Sequence, residues 1–355
     1  MRGGRGRERA GKGASIRRGL FTAFYRLLPP SAALLSLLLA APLLLAQQPH
    51  LLIISGISGG PEYAERFRGW ATQLIDAAEH RMNVPAANIA YLSEAPAKDS
   101  SGVSVGPSTK ESIERVFADL AGKAAPDDVI LVVLIGHGSA QGGEARFNIP
   151  GPDLTAHDYG RLLDRFPSQR LGLVNAASAS GDFVAALSKK NRTIITATRS
   201  GGEKNETVFG KYFVDAFTGD GADTDKDGKV SLLEAFEFAR REVARFYESE
   251  HRLQTEHAMI DDNGDGQGSR EPNPLAGDGA VARRFVLAGG QGGRGGPVDS
   301  TLAPLYAEVR KLEEQVASLR AQKDSLKPDV YDAQLEKLLV QLAEKNAEIR
   351  AREKR

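Results

Sequence analysis

Short, continuously apolar runs alternate with amphipathic segments along most of this chain, and the alternation restricts the folds open to it. The runs cover residues 50–55, 88–93, 129–135, 171–175 and 192–198. Between the first two, Phe67, Trp70, Leu74 and Ala78 fall at helical spacing. Strands that are apolar on both sides are typical of a parallel sheet covered by helices on both faces. We therefore predict an α/β domain with a mostly parallel sheet, whose functional residues lie at the carboxyl ends of strands.

Further elements are predicted from local signals. Ser108 and Glu111 have the spacing of a capping box, which predicts that a helix begins at Ser108. Apolar residues at helical spacing predict a helix over 154–166, and another is expected near 183–188. The last apolar run, 280–287, is predicted to be the final strand.

The first 46 residues have the pattern of an export signal. Residues 1–30 are basic and rich in glycine, and Ser31 to Ala46 is an apolar block that contains Pro42 and ends in small residues. This block is shorter than the ~20 apolar residues of a membrane helix. We predict a signal peptide at 1–46 and a periplasmic, cell-envelope or extracellular location, with a membrane anchor as the alternative.

Charge and cysteine content exclude two classes of interaction. The first 46 residues hold eight of the 46 Lys and Arg and one of the 46 Asp and Glu, so the remainder has a net charge of −7. A nucleic-acid partner is therefore not expected. The chain has no cysteine, which excludes disulfides and a cysteine nucleophile.

Three apolar runs are followed by small, polar motifs. His137-Gly138-Ser139 follows 129–135, the segment Ala177-Ser178-Ala179-Ser180-Gly181 follows 171–175, and Thr196-Ala197-Thr198 precedes a loop with Glu203 and Glu206. In this order and spacing the chain resembles the caspase clan, and within it the legumain-type peptidases, over roughly residues 50–287. The resemblance implies a caspase-like fold with a histidine–cysteine dyad. It makes His137 the general base, Gly138 a donor to the oxyanion, and Ser178 the residue at the nucleophile position.

Serine at that position weakens the expected chemistry. A cysteine thiol ionises near pH 8.5 and a neighbouring histidine can hold it as thiolate, whereas a serine hydroxyl needs concerted deprotonation. The acidic residues that the family carries two before its nucleophile and directly before its histidine are here Ala176 and Gly136. We predict a pseudopeptidase that binds a protein or peptide. The alternatives are an active endopeptidase or amidase using Ser178 and His137, and a structural oligomer organised by the C-terminal segment.

Residues 223–234 match an EF-hand loop at each expected position. The expected calcium ligands are Asp223, Asp225, Asp227, Lys229 through its carbonyl, Ser231 and Glu234. Gly219 to Gly221 interrupt the incoming helix, so we predict a single calcium ion that stabilises an insertion at about 218–272. A charged loop without an ion is the alternative.

A second acidic segment has only the first half of such a loop. Asp261, Asn263 and Asp265 stand at ligand spacing, but Pro272 occupies the place of the final glutamate. These residues form a possible second calcium site, and an acidic turn is the alternative. His251 and His257, six residues apart, are interpreted as ordinary surface histidines.

The C-terminal segment has a composition of its own. Residues 288–298 form a glycine-rich linker after the caspase-like domain, which is assigned to 47–287. Leucine and valine then repeat at alternating spacings of three and four over 302–326, and a second seam follows Pro328. This predicts a coiled-coil helical hairpin over 299–355 that self-associates or docks on another protein, with two solvated helices as the alternative.

Overall fold

The computed structural model describes residues 47–96, 102–275, 277–288, 303–321, 323 and 326–353. The predicted signal peptide and residues 289–298 of the predicted linker lie outside these ranges. A seven-stranded sheet forms the centre of the main domain. Its strands are β1 (Pro49–Ser55), β2 (Ile89–Ser93), β3 (Ser104–Pro107), β4 (Val129–Ile135), β8 (Arg170–Asn175), β9 (Arg192–Thr196) and β10 (Met259–Asp261).

The strand order is β10-β9-β8-β4-β1-β2-β3. Every neighbouring pair is parallel except β9 and β10, which are antiparallel. All seven residues of β1 and all seven of β4 are buried, because both faces of the sheet are covered. The prediction of a mostly parallel α/β sheet is confirmed.

Helices cover both faces of this sheet. They are α1 (Pro61–His80), α2 (Lys110–Lys123), α3 (Ala156–Leu163), α4 (Phe183–Leu187), α5 (Phe209–Thr218) and α6 (Leu232–Ser249). Phe67 of α1, Phe213 of α5 and Phe236 of α6 belong to one apolar core, whereas Phe117 of α2 and Tyr159 of α3 belong to the core on the other face. The two cores hold the sheet between them by burial of apolar surface.

A small antiparallel sheet follows β4 directly. It consists of β5 (Gly138–Gln141), β6 (Glu144–Phe147) and β7 (Leu154–Thr155). Its first residue is Gly138, so it begins at the rim where β4 ends. Asn148 donates its main-chain N–H to the carbonyl of His137 at 3.0 Å and fixes the turn between the two sheets.

Three local predictions were wrong. Thr109, and not Ser108, caps α2, because its hydroxyl accepts the N–H of Ser112. The segment 154–166 starts as β7 and becomes helical only at Ala156, where Thr155 and Asp158 form a capping box. The segment 280–287 is a short 3-10 helix at Ala282–Arg284 followed by a single bridge between Val286 and Ser231, and the seventh strand is β10 instead.

Two helices form the C-terminal part, α7 (Ala303–Ala321) and α8 (Pro328–Glu353). Leu305 and Val309 of α7 share an apolar cluster with Leu342 and Ile349 of α8, and Leu275 of the main domain packs against it. We call α7 and α8 together the C-terminal hairpin. Two helices are present where they were predicted; their coiled-coil character remains a prediction. None of the described helices is long and apolar enough to cross a membrane.

Candidate functional site

His137 follows β4 at the carboxyl edge of the sheet. Its Nε2 lies 3.2 Å from the main-chain carbonyl of Ser58. Because a carbonyl only accepts hydrogen bonds, Nε2 is the donor in this contact. Tyr63 and Phe67 of α1 pack against the imidazole, with ring centroids 4.7 and 5.3 Å away. The ring is therefore fixed by α1 and by the loop after β1.

Ser178 reaches the same edge from β8, the parallel neighbour of β4. Its hydroxyl accepts the N–H of Gly138 at 3.3 Å and donates to the carbonyl of Gly138 at 3.2 Å. Within the described ranges, no hydrogen bond joins the side chains of Ser178 and His137. The two residues thus lie at the same edge of the sheet, as expected from the sequence. Each is hydrogen-bonded to the main chain and not to the other.

Gly138 allows this close approach. A Cβ atom there would lie 2.3 Å from the carbonyl oxygen of Ser178, a distance that requires the backbone to move. Gly181 is equally constrained, because its Cβ would meet the main chain of Arg199 at 2.1 Å. Ala179, which follows Ser178 in the turn after β8, has a φ of 50°, in the left-handed region that L residues seldom adopt. The turn after β8 is therefore clamped between the turns after β4 and β9.

Hydroxyl groups close the contact between β8 and β9. Ser180 Oγ lies 3.2 Å from the hydroxyl of Thr198, which also accepts the N–H of Gly181 at 3.0 Å. Both hydroxyls are buried. They satisfy main-chain groups at the strand ends and are structural.

A carboxylate that is only 10% exposed, Glu203, holds the loop after β9. It accepts the main-chain N–H of Arg199 and of His257 at 3.0 Å each. Its other oxygen lies 2.6 Å from Nδ1 of His257 and 3.0 Å from Nε of Arg199. The His257 side chain is only 19% exposed. The interpretation of His257 as an ordinary surface residue was wrong, and its partner, 54 residues away in the chain, left no local signal.

A second carboxylate, Glu206, joins the same loop to α1. It accepts a hydrogen bond from the hydroxyl of Tyr63 at 3.0 Å and forms an ion pair with Arg66. The hydrogen bond to Glu206, together with its charge, raises the pKa of Tyr63 above its usual value. Since Tyr63 also packs on His137, Glu206 helps to fix the aromatic wall beside the imidazole.

Glu256, next to His257, is almost fully buried. Its carboxylate accepts the N–H groups of Val208 and Phe209 at the start of α5, at 2.8 and 3.0 Å, and the hydroxyl of Tyr247 at 3.2 Å. Burial raises the pKa of Glu256 to about 7. This residue caps α5 and was not predicted from the sequence, because it lies 48 positions after the helix start that it caps.

Three of the predicted calcium ligands come together in the loop before α6. One carboxylate oxygen from each of Asp223, Asp225 and Asp227 lies within 4.8 Å of the other two. Asp223 also accepts the N–H groups of Asp227 and Gly228, and Gly228 has the positive φ of 80° that glycine supplies at this place. Burial raises the pKa of Asp223, and the charges of Glu234 and Asp227 add to this effect.

Glu234 is separate from this trio. One of its oxygens accepts the N–H and hydroxyl of Thr224, at 2.9 and 3.0 Å. The other accepts the N–H and hydroxyl of Ser231, at 2.9 Å each, in a capping box at the start of α6. Hard oxygen donors are the ligands that calcium prefers, so the trio fits such an ion; the glutamate would have to leave its capping contacts to join it.

The second acidic segment is held by its own main chain. Asp261 is buried and accepts the N–H groups of Gly264 and Gly266 at 3.0 Å each. Asn263 and Asp265 bond to each other at 3.1 Å. Across the ranges that the structure describes, the trio at 223–227 is the only group of three acidic or imidazole side chains at such close range. The possible second site stays a prediction.

Comparisons with known proteins add little to these observations. No protein-family model matches the chain, and no curated protein matches it. A similar solved structure is the crystal structure of protein GSU0716 from Geobacter sulfurreducens, with 12% identity and a TM-score of 0.39. The alignment covers 68% of this chain and 100% of that one. The mostly parallel sheet is compatible with a caspase-like fold.

Proposed function

We propose that this chain is an exported, caspase-like pseudopeptidase of the legumain type, stabilised by calcium, that binds a protein or peptide without cleaving it. The observation that carries the proposal is the bonding of Ser178. Its proton is donated to the carbonyl of Gly138, and its oxygen lies on the amide that an oxyanion would need. A nucleophile requires the opposite arrangement, with its proton directed at a base and the amide left for the substrate.

The state of His137 agrees with a binding role. Its Nε2 is fixed by Ser58, and the rings of Tyr63 and Phe67 pack against it at steep angles of 77° and 66°. A general base has to lie within hydrogen-bond reach of the proton that it removes. At this rim the imidazole is half-buried and keeps Nδ1 as a polar atom that a bound peptide could contact.

Calcium enters the proposal through the loop at 223–234. Three carboxylates at such short range repel one another, and a divalent cation relieves that repulsion. The loop lies between α5 and α6, so an ion there would fix the start of α6. A stabilising role fits better than a sensor role, because Gly219 to Gly221 leave no continuous incoming helix.

The C-terminal hairpin extends the proposal to self-association. The side chain of Val340 on α8 is about half exposed, and Leu335 and Leu339 of the same helix are partly exposed. Pairing of these positions between two copies would follow the apolar seam predicted from the sequence. An export signal at 1–46 would place such an assembly in the cell envelope or outside the cell.

The test is a cleavage assay with the purified protein, a library of unstructured peptides and calcium. We expect the wild-type protein to show no cleavage that depends on Ser178 and His137. The Ser178→Ala protein should retain any peptide binding, measured by fluorescence anisotropy. Cleavage by the wild-type protein that both substitutions abolish would establish the alternative, a hydrolase using Ser178 and His137. Ser178→Cys serves as the matched positive variant, because it restores the nucleophile of the family at the same place.

A further inference from the structure

The calcium loop and the C-terminal hairpin form opposite walls of one cavity of about 280 Å³. Asp225 and Asp227 line it on the side of the loop. Glu313, Val316 and Arg320 line it on the side of α7. Two of the proposed calcium ligands therefore line the same cavity as residues of α7 that follow them by more than eighty positions in the chain.

An ion pair joins the two sides. Arg283 Nη1 lies 2.5 Å from Glu313 Oε1, and the two side chains are only 27% and 16% exposed. Below them, Leu275 packs against the apolar cluster between α7 and α8. The contact thus combines a partly desolvated ion pair with apolar burial. Both contributions to the free energy of docking are lost if the hairpin separates from the main domain.

The segment that carries Arg283 is also fixed to the exit of the calcium loop. Leu232 donates its N–H to the carbonyl of Phe285 at 2.9 Å, and Ser231 is bridged to Val286. Arg283 consequently stays beside the loop whether or not the hairpin is docked. Glu313 is the acidic partner that the hairpin supplies.

We propose that docking of the C-terminal hairpin and binding of calcium at Asp223, Asp225 and Asp227 favour each other, with Glu313 as the connecting residue. The inference rests on the proposed calcium site. When the hairpin is docked, Glu313 neutralises Arg283. When it is not, the guanidinium is left without this partner in the cavity that Asp225 and Asp227 also line, and its positive charge competes with the ion. By linkage, the factor by which docking raises calcium affinity equals the factor by which calcium favours docking.

The experiment measures calcium affinity by calorimetry on the full chain in four forms. These are the wild type, Glu313→Gln, the double variant Arg283→Gln with Glu313→Gln, and the control Glu336→Gln, which removes an exposed carboxylate of α8 outside the cavity. Coupling between sites commonly spans about 5-fold to 150-fold, and for a partly exposed pair we expect the lower end, about five-fold weaker binding in Glu313→Gln. The double variant should regain affinity because the competing cation is gone, and the control should match the wild type.

A second measurement follows docking directly. The chain has no cysteine, so Asp119→Cys on α2 and Glu344→Cys on α8 introduce a single pair of spin labels. Calcium should increase the fraction of molecules at the docked distance, and Glu313→Gln should decrease it. Equal calcium affinity in folded wild type and Glu313→Gln would overturn the coupling and leave the calcium site standing. Absence of saturable binding in the wild type would overturn the calcium site and the coupling together.

Discussion

The strand-end site and the acidic loop differ in how their polar groups are satisfied. At the strand ends, the hydroxyl of Ser178 and the imidazole of His137 each bond to a main-chain group of a neighbouring turn. In the loop, three like charges converge instead. The carboxylates of the loop also accept main-chain N–H groups, but their like charges lie close together, and such an arrangement favours a cation between them. Under the proposed function, Ser178 and His137 do not act as catalysts, and the candidate ligand site is the trio Asp223, Asp225 and Asp227.

The largest expected effect tests the structural half of this contrast. In Gly138→Ala the new Cβ meets the carbonyl oxygen of Ser178 at 2.3 Å, so the turns after β4 and β8 must separate. We expect the free energy of unfolding to fall by about 4 kcal/mol, measured by urea denaturation. Gly69→Ala is the matched control, since nothing lies within 4 Å of its Cβ inside α1, and it should gain roughly 0.5–1 kcal/mol. A Gly138→Ala protein as stable as the control would mean that the clamp at the rim is loose.

A pH titration sharpens the contrast at Glu256, a carboxylate held only by neutral donors. Its pKa is raised by burial from 4.5 to about 7, so the folded state binds more protons than the unfolded state in that interval. The free energy of unfolding contributed by this group therefore falls as pH rises from 4.5 to 7, by up to about 3 kcal/mol.

The measurement compares wild type with Glu256→Gln in urea between pH 4.5 and 8. Glutamine turns an N–H₂ group towards the donors at the start of α5, so the variant will be less stable overall. The slope is the readout, and the difference between the two proteins should shrink as pH rises. Parallel curves would show that Glu256 titrates normally.

Calcium tests the other half of the contrast. At a free calcium concentration of 100 times the Kd, binding should raise the free energy of unfolding by about 2.7 kcal/mol. Asp223→Asn should abolish this gain, because it removes one of the three charges of the trio, while Asp119→Asn on the exposed face of α2 should retain it. Thermal melts with calcium and with chelator provide the measurement. Loss of the gain in Asp261→Asn as well would assign a calcium role to the second acidic segment and remove the distinction between the two loops.

The smallest effect concerns Ser178 itself. Ser178→Ala deletes the bonds to both main-chain groups of Gly138 and leaves a partly buried amide without its acceptor, which should cost about 1.5 kcal/mol. Ser249→Ala, at the exposed end of α6, should lower the free energy of unfolding by only a few tenths of a kcal/mol. A Ser178→Ala protein more stable than wild type would indicate that the serine is kept for chemistry at the expense of stability.

The sequence predicted the sheet well because buried parallel strands are continuously apolar and long enough to stand out. It missed β3 and β10, because four and three residues carry no pattern. It also placed a strand at 280–287, where Ala282 and Phe285 are buried against α6 instead of entering the sheet. The positions of His137, Ser178 and Asp223 followed from motifs. The hydrogen-bond partners of Ser178, of Glu203 and of Glu234 could not be predicted, because these contacts depend on how separate loops meet in space.

Both edge strands of the main sheet offer few free backbone hydrogen-bonding groups. β3 runs for four residues and ends at Pro107, which has no N–H to offer. At the opposite border, Ile260 of β10 exchanges two hydrogen bonds with Ser269 of the same chain. Among the residues that the structure describes, neither border offers a long edge on which a second molecule could add a strand, so these borders resist the edge-to-edge pairing that leads to aggregation.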